Sequence, residues 1–143
     1  MKFLHSKTFQ LIWAAWILIL GVSLFFVHTV QCINSCSEYL RAFAVFDLPS
    51  SWCPTFLTLY GVATLIAVLL SSSGVKKVFT IISRFAGLVL LPVGILATYE
   101  YTMGDPFTFE LMYFYAQSIH VSEVLTGLLT IYFLVKPNHD QKN

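Results

Sequence analysis

Four stretches of the chain carry apolar residues almost without interruption, at about residues 9–30, 56–72, 80–101 and 115–135. Crossing a hydrocarbon core takes about 20 mostly apolar residues in helical form, so each stretch reads as a membrane span. The second is the shortest, and it extends back through Thr55 and Pro54 if the proline takes a place in the first helical turn. The short polar links place consecutive helices antiparallel. The expected fold class is therefore all-α, an integral-membrane up-down four-helix bundle within a single domain over 1–143.

Polar positions outside the spans add detail. Ser71-Ser72-Ser73-Gly74-Val75-Lys76-Lys77 reads as a plain turn with snorkelling lysines. Gly87, Pro92 and Gly94 in the third span predict a kink and a close helix contact. Between the first two spans, Gln31 to Thr55 is far longer than a usual bundle loop. Within it, Leu40, Phe43 and Ala44 recur at helical spacing after Ser35 or Ser37 as a cap, which predicts a short interfacial helix in this first outer loop. That helix is expected to end at Asp47-Leu48-Pro49, with Trp52 anchoring at headgroup level and the whole loop lying over the outer mouth of the bundle. The first span follows Lys2 and Lys7 as a signal peptide would, but its apolar run is too long for one. Gln31 before Cys32 also departs from a lipoprotein cleavage site.

Composition agrees with lipid as the solvent. Of 143 residues, 57% are hydrophobic, 16% aromatic and 10% charged, against roughly 25% charged in soluble domains. A monomer of this length cannot bury so much apolar surface inside itself. These proportions exclude a disordered chain and a nucleic-acid binder. Charge then orients the bundle. Lys2, Lys7, Lys76, Lys77, Arg84, Lys136 and Lys142 fall on one side and only Arg41 on the other, which puts both termini in the cytoplasm of a multi-pass inner-membrane protein.

The candidate chemistry lies toward the outer side. Cys32, Cys36 and Cys53 all belong to the outer loop region and face an oxidising compartment. Two readings stay open for them: one disulfide that staples the loop beside an inert thiol, or a set in which the third thiol exchanges with the disulfide. The spacing of Cys32 and Cys36 is not the Cys-x-x-Cys of dedicated oxidoreductases. His28, Glu100, His120 and Glu123 form a second group at similar depth, with His120 and Glu123 three apart on one helical face. Glu123 lies deepest and carries the most weight, since ionisable groups within a span usually mark a site. Four readings fit this group. They are a carboxylate held internally with no ligand, a quinone head-group site, a metal site, and a haem bridged by His28 and His120. Phe107, Phe109 and Met112-Tyr113-Phe114-Tyr115 read as an interfacial aromatic belt.

Cys36-Ser37-Glu38-Tyr39-Leu40-Arg41-Ala42-Phe43-Ala44-Val45-Phe46-Asp47-Leu48-Pro49 resembles a loop of the membrane thiol oxidases of the disulfide-bond-formation B and vitamin K epoxide reductase type. There a cysteine opens an interfacial helix that a proline closes. Leu59-Tyr60-Gly61-Val62 and Ala97-Thr98-Tyr99-Glu100-Tyr101 are similar to other segments of those families. The resemblance implies a four-helix fold and electron transfer from outer thiols to a quinone. The Cys-x-x-Cys pair that both families carry beside the quinone is absent from this sequence, so fold carries over more readily than activity. Two function classes follow. One is a diverged thiol redox protein with Cys32, Cys36 and Cys53 as exchanging groups and His28, Glu100, His120 and Glu123 around a quinone-like ligand. The other is a non-enzymatic accessory or immunity-type protein that docks its helices against a membrane or periplasmic protein partner.

Overall fold

A computed structural model describes the backbone of residues 2–46, 48–70, 72–104 and 111–136, and the side chains of 3–26, 53–70, 72, 74–96 and 117–136. After a 3₁₀ turn at Lys2–His5 come four helices: α1 (Lys7–Phe46), α2 (Leu48–Leu69), α3 (Ser73–Gly104) and α4 (Leu111–Val135). Among the described residues there are no strands. Among the described residues three segments are long and apolar enough to cross a membrane, Lys7–Phe26, Gly74–Leu96 and Gln117–Val135; the apolar part of α2, Cys53–Leu69, is shorter.

Local signals account for several boundaries. Ser6 caps α1, its Oγ accepting from Phe9 N at 3.1 Å and its carbonyl from Gln10 N at 3.1 Å. Ser72 occupies the corresponding place before α3, its carbonyl accepting from Lys76 N at 3.0 Å. The turn expected over 71–77 is therefore shorter than its composition suggests, because serine caps a helix as readily as it fills a loop. α4 stops just ahead of Pro137 in the sequence, where the chain cannot continue a helix.

The outer segment departs most from expectation. No long loop separates the first two helices: the stretch expected as a separate interfacial helix continues α1 to Phe46, and α2 begins at Leu48. Pro49 then sits in the first turn of α2, where a missing N–H costs nothing. Pro54, read as a boundary, is inside the helix and buried. Cys53 is accordingly a helix residue in the core and not a loop residue.

The core around Ile17, Leu20, Leu57 and Leu90 is apolar, but large apolar side chains also cover the outside. Ile12, Ile19, Val22, Phe26, Ile81 and Phe85 are exposed, as are Val121, Leu125 and Leu128 of α4. The side of α4 turned inward carries Ser122, Glu123, Thr126 and Thr130, all buried. Such an arrangement is stable where the surroundings are apolar and the polar groups bond to one another.

Two of the seams between helices, α1–α2 and α3–α4, are built on glycine. A Cβ on Gly21 would lie 2.7 Å from Thr58 N, and one on Gly61 would lie 2.9 Å from Leu18 Cα. Gly87 faces Thr130 and Tyr60. Gly94 would meet Glu123 Cβ at 2.8 Å, and Gly127 would meet Leu91 Cα at 2.9 Å. The close contact expected at Gly87 and Gly94 is thus present, while Pro92 between them is exposed. α1 packs on α2, α2 on α3, and α3 on α4, but α1 and α4 have scarcely any close backbone approach among the described residues. Indole rings join them instead: Trp13 Nε1 donates to Thr126 Oγ1 at 3.2 Å and Trp16 Nε1 to Ser122 Oγ at 3.1 Å.

A double-mutant cycle with Trp13→Phe and Thr126→Val measures one of these bonds. The expected coupling is about 0.5–1 kcal/mol, the usual worth of an interhelical hydrogen bond in an apolar setting. Unfolding of the protein in mixed detergent micelles supplies the four stabilities.

Candidate functional site: a buried thiol–carboxylate–imidazole chain

Among the described residues Glu123 is the largest polar side chain with no exposure at all, at 0%. Three features make room for it. Gly94 on α3 has no side chain to occupy the space of its Cβ. Its neighbours on α4, Ser122 and Thr126, turn their hydroxyls to the indoles of α1, and the Thr126 hydroxyl also donates to the Ser122 carbonyl at 2.7 Å. Cys53 on α2 closes the remaining side.

Both carboxylate oxygens have partners. The Cys53 thiol donates to Oε1. His120 Nδ1 lies 3.2 Å from Oε2, within hydrogen-bond distance. The spacing of three along α4 puts His120 one turn before Glu123. Its side chain is 14% exposed against 0% for the carboxylate, and Cys53 is 6% exposed, so the carboxylate is the innermost of the three and stands between thiol and imidazole. Cys53 and His120 sit on opposite oxygens, not around a common point. Among the described residues no group of three or more His, Cys, Asp or Glu side chains is placed to hold a metal ion.

A chain of this kind can hold and pass a proton. A thiol becomes a nucleophile by losing its proton, and a carboxylate in contact with it is the acceptor that the step needs. The imidazole on the far oxygen can take that proton onward or return it.

A second polar cluster lies on the same seams, further along the bundle. Tyr60 on α2 bonds to Thr64 and Thr130, Thr64 Oγ1 is 2.6 Å from Ser83 Oγ, and the Thr130 hydroxyl donates to the Thr126 carbonyl at 2.8 Å. This cluster is absent from the sequence-derived candidates. Its only linear signal is the recurrence of hydroxyls every four residues in Ser122, Thr126 and Thr130, a stripe on one face of α4.

Of the residues singled out from sequence, the structure brings together Cys53, His120 and Glu123. His28, Cys32, Cys36 and Glu100, with Trp52 and the aromatic run 112–115, lie outside the residues whose side chains are described. Cys53 is a free thiol. Compared with known proteins, the chain matches no family model, no curated sequence and no solved structure.

Proposed function

We propose that the protein is a multi-pass membrane thiol–disulfide redox protein, a diverged relative of the four-helix thiol oxidases, with the Cys53–Glu123–His120 chain as its working centre. The observation that carries this reading is the bond from the Cys53 thiol to a fully buried carboxylate whose other oxygen is held by a histidine. A structural thiol needs no base; this one has a base in contact.

In the proposed reaction Glu123 takes the Cys53 proton as Sγ attacks one sulfur of a disulfide formed by Cys32 and Cys36. A Cys53 mixed disulfide forms, and the displaced sulfur leaves as a thiolate that is reprotonated. Oxidation of a thiol pair back to a disulfide releases two electrons and two protons. The acceptor class that fits a membrane interior is a quinone, which leaves as the quinol, and the His120 ring is the group offered to its carbonyl.

The remaining architecture of the proposal has support of the same kind. Residue 21 meets 58 while 18 meets 61, and 94 meets 123 while 91 meets 127, so each helix descends as its neighbour ascends. This supports an up-down order, with α2, 22 residues long, as a fourth span of about 33 Å at 1.5 Å per residue. The distribution of lysine and arginine supports cytoplasmic termini and an outer position for His120.

The test is a map of cysteine pairing in membranes. Cells are acid-quenched, alkylated with a permeant maleimide and analysed by peptide mass spectrometry, for wild type and for Cys32→Ser and Cys36→Ser. The expected result is a Cys53 disulfide to Cys32 or Cys36 whose partner shifts in the single variants. A Cys53 that stays a reduced, unpaired thiol under oxidising and reducing growth alike overturns the redox reading. The accessory reading, with Cys53 only part of a polar core, then stands.

A further inference from the structure

The opposite end of the bundle holds a cavity of about 340 Å³ to which all four helices contribute, a volume within the range of small-ligand pockets. Its wall carries Lys7 next to α1's start, Lys76 and Arg84 of α3, and Lys136 just past α4. Tyr60, Thr64, Ser83 and Thr130 line it with hydroxyls, and of these Tyr60, Ser83 and Thr130 are buried. No carboxylate lines it among the described residues, and the contact of His120 with Glu123 lies elsewhere.

The lysines have ordinary reasons to be at helix ends, where long side chains reach the headgroup region. Arg84 does not. It lies within the apolar segment Gly74–Leu96, ten residues from its start and so about 15 Å along the helix axis. It is half-buried and turned into the cavity beside Ser83. An arginine at such depth is costly unless something offsets its charge, and three further cations around the same space raise that cost. An anion in the cavity removes it, and a guanidinium fork matches two oxygens of a phosphate.

We propose that this cavity binds a phosphate-bearing anion, with Arg84 as the deep anchor and Lys7, Lys76 and Lys136 around its mouth. Two sources share that chemistry, the headgroup of an anionic phospholipid and free phosphate. The proposal is independent of the redox reading, since no residue of the Cys53 chain takes part.

The experiment uses full-length protein in a neutral, delipidated detergent. It is titrated with short-chain phosphatidylglycerol, with the matching phosphatidylcholine, and with sodium phosphate, and binding is read by native mass spectrometry and by the thermal midpoint. Phosphatidylglycerol is expected to bind one-to-one and to raise the midpoint, and Arg84→Gln to weaken that binding roughly tenfold or more. Lys77→Gln, which removes the same charge from an exposed residue outside the cavity, should leave binding unchanged. Sodium phosphate that fails to compete assigns the site to the lipid headgroup. Sodium phosphate that binds and displaces the lipid assigns it to free phosphate, and both results support the proposal. Equal binding of the two lipids with no response to phosphate overturns it, as does a Lys77→Gln loss equal to that of Arg84→Gln. Circular dichroism checks that Arg84→Gln folds. If it does not, Lys7→Gln/Lys136→Gln at two exposed positions must show the loss, and wild-type binding in that pair also overturns the proposal.

Discussion

Glu123→Gln is expected to slow formation of the Cys53 disulfide by about 100- to 10,000-fold, the usual contribution of a positioned proton acceptor, while helix content stays at the wild-type level. Glutamine has the volume of glutamate, and its amide can still meet Cys53 and His120. It cannot take the thiol proton. Quenched-flow alkylation of reduced protein after addition of an oxidant measures the rate. Glu123→Ala separates chemistry from structure. It removes the carboxylate from both partners and leaves a void against Gly94, with an expected loss of about 2–4 kcal/mol in stability. A glutamine variant that exchanges at the wild-type rate would show that Glu123 is a structural group, and with it the proposed role of His120 falls.

The largest structural effects are expected at the glycine contacts. Gly61→Ala puts a methyl group 2.9 Å from both Cα and N of Leu18, atoms that cannot rotate away, so α1 and α2 must part. Gly127→Ala does the same against Leu91 Cα at 2.9 Å. Each is expected to destabilise by about 1–3 kcal/mol, and valine at either place by more. The two sites lie on different seams, so their effects should add. Gly74 is the control. A Cβ there meets nothing within 4 Å, and Gly74→Ala should be neutral or slightly stabilising through helix propensity. Unfolding titrations in mixed micelles give all of these, and a Gly61→Ala variant as stable as Gly74→Ala would contradict the packing described.

Which parts of this were legible in the sequence follows from what each depends on. Helical stripes depend on local spacing, and the long apolar runs predicted helices where α1, α3 and α4 occur. The placement of His120 near Glu123 also followed from spacing alone. The boundary before α2 is not legible, because Asp47-Leu48-Pro49 carries the same signs whether it ends one helix or begins the next. Proline closes a helix at its C-terminal side and opens one at its N-terminal side. That one ambiguity moved Cys53 from the core to a loop. The contact of Cys53 with Glu123 spans 70 residues and depends on the register of α2 against α4, which no local pattern encodes. The depth of Arg84 is equally illegible, because a charge tally gives the side on which a residue lies but not its depth.

The seams of the bundle differ in stiffness. Where glycine brings two backbones together, separation breaks a continuous row of dispersion contacts at once. Between α1 and α4 the link is two indole hydrogen bonds, each released by rotation of one side chain. Under load the α1–α4 seam is therefore expected to part before the glycine-packed α1–α2 and α3–α4 seams. Ser122 and Thr126, the hydroxyls that hold it closed, flank Glu123 in sequence. If that seam is the one that opens, the carboxylate would be reached from the side of the bundle, between α1 and α4, rather than from either end.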